Sequence, residues 1–171
     1  LWNKHSNFEE ATRTPLIFKS PDIKGGFINN SPVELIDIFP TVCKLAGIPA
    51  PDYLDGISLF PILKRNSKNL KKFAISQYPR RCNVMRSVIG RYPDDCTLMG
   101  YAVRNDRFRY VAWIKGNYED RSLFEISNIE MEELYDYEND PLEKKNIAYE
   151  NNYKNIKNGM IKDLRSVIWS K

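Results

Sequence analysis

Histidine is nearly absent from this chain, and long apolar runs are missing altogether. A single His, His5, stands among 171 residues, far in sequence from all three cysteines. No Cys-x-x-Cys pair occurs, so the spacing that builds common zinc sites is not available. No apolar stretch approaches the roughly 18 residues that a membrane-spanning helix needs. No basic segment leads into an apolar one at the start, as a secretory signal would. Glycine-rich phosphate loops, internal repeats and low-complexity tracts are also missing. The chain opens on Leu1, not Met, and runs directly into a helix-like segment. That reads as a chain beginning inside a larger protein, so absent signals say little about compartment. Lys4-His5-Ser6 places an amine, an imidazole and a hydroxyl side by side. Neighbours along a chain rarely converge on one substrate, which argues against a catalytic triad.

What is present points to a folded chain. Hydrophobic residues make up 42%, and ten Tyr and eight Phe argue against intrinsic disorder. The net charge of +4 suits an acidic substrate and a solvated surface equally well. Cys82 and Cys96 bracket a loop containing Gly90 and Pro93. A disulfide there would be worth about 3 kcal/mol, and a reduced pair is the alternative. Cys43, among apolar residues, reads as a buried thiol. Asn29-Asn30-Ser31 matches a glycosylation sequon, with Pro32 directly after it.

Ser6 and Glu9 predict a capping box and a short helix over Phe8 to Thr12. Leu16-Ile17-Phe18, between Pro15 and Pro21, reads as a buried strand. Two readings compete for the next segment. Ser31 with Glu34 caps a helix that contains Pro40, or Val33 to Ile36 is extended and Asp37 caps a helix over Ile38 to Ala46. The second is preferred, because Pro40 then falls in the first turn and Gly47 at the stop. Lys64 to Lys72 carries five basic residues and no acidic one, and reads as a boundary between two units. Phe73 to Gln77 predicts a strand, and Arg80 to Thr97 a charged loop. Met99 to Val103 and Phe108 to Ile114 flank Asn105-Asp106 as a hairpin. Arg107, Arg109, Val111 and Trp113 fall on one face of that hairpin, and Phe108, Tyr110 and Ala112 on the other. Glu133 to Tyr137 predicts a short strand. Ile156, Met160, Ile161, Leu164, Val167 and Ile168 follow helical spacing, as an amphipathic closing helix on a small antiparallel sheet.

Several blocks, in order, carry a family resemblance. Leu1-Trp2-Asn3-Lys4-His5-Ser6-Asn7-Phe8-Glu9 and the residues to Phe18 look like the segment that follows the Gly-(Asp/Glu)-His-Gly motif of sulfatases. Val33 to Thr41 with Leu45-Ala46-Gly47-Ile48, and then Tyr53 to Leu59, are similar to the blocks that come next in that family. Glu133-Leu134-Tyr135-Asp136, Asn139-Asp140-Pro141, Glu143 and Asn146-Ile147-Ala148 resemble its C-terminal motif. Ser76-Gln77-Tyr78-Pro79-Arg80 and Met99 to Arg104 resemble the iduronate-2-sulfatase branch.

The resemblance implies an α/β fold: the end of an alkaline-phosphatase-like sulfatase domain over residues 1–62, then a smaller α+β subdomain over residues 63–171. In that subdomain a small antiparallel sheet packs with a C-terminal helix. It implies a sulfuric ester hydrolase acting on sulfated glycosaminoglycan, with 2-sulfated iduronate as the expected target. The alternatives are a non-catalytic sulfatase-like piece and a sulfatase of other specificity, such as a choline-sulfatase-like one. Family members use a formylglycine and a calcium ion, both expected upstream of this chain. No metal ligand is expected here, and the chain alone is expected to be inactive. Cys82-Asn83-Val84-Met85-Arg86 has the spacing of the formylglycine motif but carries Val84 where Pro or Ala belongs. Lys4 matches the lysine that reaches the sulfate, as a catalytic and substrate-binding residue. His5 would border the sugar pocket, and Arg80 would approach the uronate carboxylate. The expected partners are the substrate and the N-terminal sulfatase domain, with no nucleic acid and no membrane span. The resemblance places the protein in the lysosome or outside the cell.

Overall fold

The computed structural model of the protein describes residues 6–81, 97–115 and 126–168. Cys82, Cys96, Lys4 and His5 therefore lie outside the described residues. In chain order the helices and strands are α1 (Glu9–Thr12), α2 (Ile38–Leu45), α3 (Phe60–Leu63), β1 (Ala74–Arg81), β2 (Thr97–Arg104), β3 (Phe108–Lys115), β4 (Ile129–Asp136) and α4 (Lys154–Ile168). They form two compact units, one of Leu1–Arg13 with Ile75–Lys171 and the other of Thr14–Ala74.

In the Thr14–Ala74 unit, a buried carboxylate organises the chain. Asp37 is fully buried. Its oxygens accept from the Glu34 and Ile57 backbone N–H groups, each at 2.9 Å, and Lys71 Nζ stands 2.7 Å away. A buried charge is tolerable only when paired in this way. Thr41 adds a second tie: its hydroxyl donates to the Asp37 carbonyl at 2.6 Å and accepts from Leu59 N–H at 2.8 Å. Asp37 does not cap α2 with its side chain; it closes a capping box with Glu34 around the 3-10 turn Leu35–Asp37. Pro40 is the third residue of α2, where its missing N–H costs nothing, and Gly47 ends the segment at φ 70°.

The expected strand at Leu16-Ile17-Phe18 does not form. The run carries no strand assignment, and Ile17 is 86% exposed. An apolar run becomes a strand only with a ladder partner, and among the described residues it has none. On α2 and the turn before it, Leu35, Phe39 and Val42 follow helical spacing and are all exposed. The basic stretch is used within this unit: Lys64 Nζ reaches the Asp22 carbonyl, Arg65 the Gly25 carbonyl at 3.2 Å, and Lys71 the Asp37 and Glu34 carboxylates.

In the other unit the sheet order is β1-β2-β3-β4, and β3 pairs antiparallel with both β2 and β4. The hairpin turn forms because Asn105 Oδ1 accepts from the N–H groups of Arg107 (2.9 Å) and Phe108 (2.7 Å). Phe108 to Ile114 are all buried, so both faces of β3 are covered. Leu98, Ala102, Val111 and Trp113 make the core on one face, with Met131 packed against them. Phe108 meets Tyr153 edge-on at 6.4 Å, and α4 buries Met160 and Leu164. β4 extends further than the short strand expected at Glu133 to Tyr137. The small antiparallel sheet with a closing helix is the expected fold.

α1 is one turn, and its expected capping box is not made. Phe8 N–H reaches Ser6 Oγ at 3.4 Å, but no side chain caps the helix. The Glu9 carboxylate instead pairs with Arg104, at 3.1 and 3.3 Å.

A clamped N-terminal segment and a stacked arginine as the candidate functional site

The segment directly after Lys4 and His5 is held to the sheet by groups from three strands and a loop. Asn7 is buried; its amide donates to the Gly100 carbonyl on β2 at 3.0 Å. Its carbonyl oxygen accepts from the Ser76 hydroxyl on β1 at 3.1 Å. Two residues on, Glu9 N–H donates to Glu143 Oε2 at 2.9 Å. Phe8 meets the Tyr135 ring of β4 edge-on at 6.1 Å.

Arg109 of β3 sits beneath this segment. It is 1% exposed, with its guanidinium 4.9 Å from the Phe8 ring and 4.7 Å from the Tyr135 ring. Arg109 Nε donates to Glu143 Oε1 at 2.5 Å and to the Tyr137 hydroxyl at 3.1 Å, and Tyr137 donates in turn to Glu143. Burial is the main cause that pushes the Tyr137 phenol well above its ordinary value, and the Glu143 hydrogen bond adds to it. The phenol thus stays protonated as a donor. Burial likewise pushes Tyr135 up to about 12. Arg109 Nη2 is buried with no hydrogen-bond partner among the described residues. Of the arginines Arg104, Arg107 and Arg109, Arg109 is the buried one. Arg107 pairs with Asp136 and Glu138, and Arg104 with Glu9.

Arg80 lies on β1, not in the charged loop expected to start there. Its guanidinium is 4.9 Å from the Trp113 ring, and Trp113 Nε1 donates to Glu133 Oε1 at 2.8 Å. Gly100 is the cross-strand partner of Trp113, and a Cβ there would come within 2.7 Å of the indole. The missing side chain is what lets the ring lie flat across β2. Ser76 and Arg80, four residues apart, point to the same side of β1. Ser76 meets Asn7 and Arg80 meets Trp113 on that side.

Of the expected site residues, Arg80 is therefore placed on the same face as the segment that follows Lys4 and His5. Residue types alone did not single out Asn7, Ser76, Trp113 or Glu143 as site residues. Glu143 carried one signal, its place after Asn139-Asp140-Pro141 in the C-terminal motif. Among the described residues no group of three or more His, Cys, Asp and Glu could hold a metal ion. The nearby carboxylates of Glu9, Glu133 and Glu143 are committed to Arg104, Trp113 and Arg109, so they do not form a calcium ligand set. Among the described residues, no helix is long and apolar enough to cross a membrane.

A four-stranded antiparallel sheet closed by a C-terminal helix is shared with the C-terminal parts of sulfatases. Residues 1–169 match the family described as N-sulphoglucosamine sulphohydrolase, C-terminal, and the chain belongs to it. It is 34% identical over 133 residues to arylsulfatase K of Danio rerio, covering 75% of this chain and 23% of that protein. It is 29% identical over 192 residues to iduronate 2-sulfatase of Homo sapiens, covering 85% and 35%. It is 32% identical over 161 residues to a delta 4,5-hexuronate-2-O-sulfatase of Bacteroides thetaiotaomicron, covering 90% and 28%. Among solved structures it resembles a 2-O GAG sulfatase (TM-score 0.52, 27% identity, 77% of this chain and 24% of that one). It also resembles a phosphonate monoester hydrolase of Agrobacterium radiobacter (TM-score 0.51, 25% identity, again 77% and 24%). The chain spans about a quarter to a third of the length of these relatives.

Proposed function

We propose that this chain is the C-terminal part of an exosulfatase whose whole polypeptide removes the 2-sulfate of iduronate in heparan or dermatan sulfate. Residues 1–62 would complete the large domain, and residues 63–171 would form the smaller one that faces the substrate. A formylglycine and a calcium ion upstream would supply the nucleophile and the Lewis acid. No described residue of this chain fits either group. In this reading the chain contributes charge and shape. The Lys4 ammonium is a compact counter-charge for the sulfate oxyanion. His5 borders the sugar. Arg80 pairs with the uronate carboxylate through two parallel N–H donors. The lysosome or the extracellular space is the proposed compartment. The other proposed partner is the N-terminal domain.

The observation that carries this reading is the convergence of Arg80 with the segment after Lys4 on one face of the sheet, through Ser76–Asn7 and Arg80–Trp113. Names of relatives that act on 2-O-sulfated hexuronate support the substrate class. A second reading is a sulfatase of other specificity. The likeness to arylsulfatase K and to a phosphonate monoester hydrolase favours it over an inert piece.

The test uses the full-length protein, wild type beside Lys4→Ala, on a 2-sulfated iduronate disaccharide with calcium present. Sulfate release that collapses in the folded mutant supports the substrate and the role of Lys4. No release from a folded, formylglycine-bearing wild type rejects this substrate and points to another sulfate ester.

A further inference from the structure

We propose that Glu143 is a positioning residue for catalysis: it grips the segment that follows Lys4 against the sheet, and so sets the point from which the chain leads to Lys4. The inference rests on the proposal that Lys4 contacts the sulfate. Glu143 is a non-glycine residue at φ 52°, in the left-handed region that costs a side-chain-bearing residue free energy. Such a conformation persists only where the surroundings hold it. Here the side chain is 4% exposed and accepts three bonds. Arg109 Nε and the Tyr137 hydroxyl donate to Oε1, and the Glu9 backbone N–H donates to Oε2.

The first two bonds fix the carboxylate on the sheet. The third reaches a different stretch of chain, 134 residues away in sequence, and grips its backbone. A backbone grip does not depend on which side chain stands at position 9. It sets where the chain runs, five residues after Lys4. The Glu9 carboxylate on Arg104 and the Asn7 amide on Gly100 prevent rotation about that grip. Side-chain contacts then continue through Arg109 and Glu133 to Trp113 and Arg80. One buried network thus touches both the segment after Lys4 and the platform under Arg80. Arg109 and Glu143 could stabilise a sheet without gripping Glu9; the grip is what points to positioning.

The test is a double-mutant cycle in the full-length protein, with kcat and KM measured on the 2-sulfated iduronate disaccharide. Glu143→Gln removes the charge and replaces one of the two acceptor oxygens by a donor. Displacing a reacting group by about 1 Å can cost on the order of a hundredfold in rate. Glu143→Gln is therefore expected to lower kcat about ten- to a hundredfold, with little change in KM. In the Lys4→Ala background the same change should leave the residual rate nearly unaltered, because there is no ammonium left to misplace. An equal loss in both backgrounds overturns the proposal and makes Glu143 a structural residue only. Full activity in Lys4→Ala alone rejects the role of Lys4, and positioning of Lys4 falls with it. If Glu143→Gln does not fold, as judged by loss of a cooperative thermal transition, Tyr137→Phe takes its place. It removes one donor from Glu143 and should show the same non-additive pattern at smaller amplitude, whereas an additive pattern again overturns the proposal.

Discussion

The Arg80 guanidinium lies 4.9 Å from the Trp113 ring, and the opposing residue of the neighbouring strand is Gly100, which has no side chain to intervene. Stacking on an indole leaves the in-plane donors of an arginine pointing outward, the geometry suited to a planar carboxylate. Arg80→Ala in the full-length protein should therefore lower kcat/KM on a 2-sulfated iduronate substrate about ten- to a hundredfold, the range of a charged hydrogen-bond pair. The same variant should be close to wild type on the carboxyl-reduced substrate. Equal losses on both substrates would remove Arg80 from carboxylate recognition.

Gly100→Ala tests the platform itself. The new methyl would lie 2.7 to 2.9 Å from three atoms of the Trp113 ring, inside van der Waals contact. Overpacking of this kind costs about 1–3 kcal/mol. A lower denaturant midpoint and a shifted tryptophan emission are expected. An unchanged midpoint would mean that the indole can move aside.

Asp136 sets a prediction for pH. The hydrogen bonds from Arg107 hold its carboxyl below the ordinary 3.8, with Asn139 and the Glu138 N–H contributing. A carboxylate with a depressed folded-state pKa contributes stability above its unfolded pKa. That contribution is lost as pH falls through the folded value. Stability should therefore hold at neutral pH and decline as pH drops below 3.8. Asp136→Asn should be less stable at neutral pH and show a shallower acid decline. Denaturant melts across the acid range check this, and an unchanged acid slope would rule Asp136 out as the group responsible.

Lys71→Met addresses the other unit. It leaves Asp37, fully buried, without its 2.7 Å counter-ion. Removing one partner of a buried pair costs on the order of 3–5 kcal/mol. Adding Asp37→Asn to Lys71→Met should recover part of that loss, since the charge then disappears with its partner. Urea unfolding of the three variants gives the comparison. A neutral Lys71→Met would show that the pair is solvated in solution.

Much of the sheet unit was readable from local pattern. The Asn105-Asp106 turn, the runs on either side of it and the spacing from Ile156 to Ile168 each depend on neighbours close in sequence. The structure follows them to within a few residues. Leu16-Ile17-Phe18 forms no strand because its pattern states only that it is apolar, while a strand also requires a partner. The Ser6/Glu9 capping box failed for a related reason. Glu9 had a stronger competitor in Arg104, 95 residues away in sequence. The role of Arg109 was equally hidden. An arginine on an alternating strand reads as a surface charge until the second face of the sheet turns out to be covered.

By itself the sequence determined the family, through ordered blocks from Leu1 to Ala148, and it determined the hairpin and the closing helix. These are properties of residue order and short-range spacing. Only the tertiary structure decided that Asn7, Ser76, Trp113 and Arg80 meet on one face, and that Glu143 grips the backbone of Glu9. Those contacts join residues dozens to more than a hundred positions apart. Such pairings arise when chain segments are packed so that buried charges and donors find partners, a requirement of the folded whole that no local window of sequence contains.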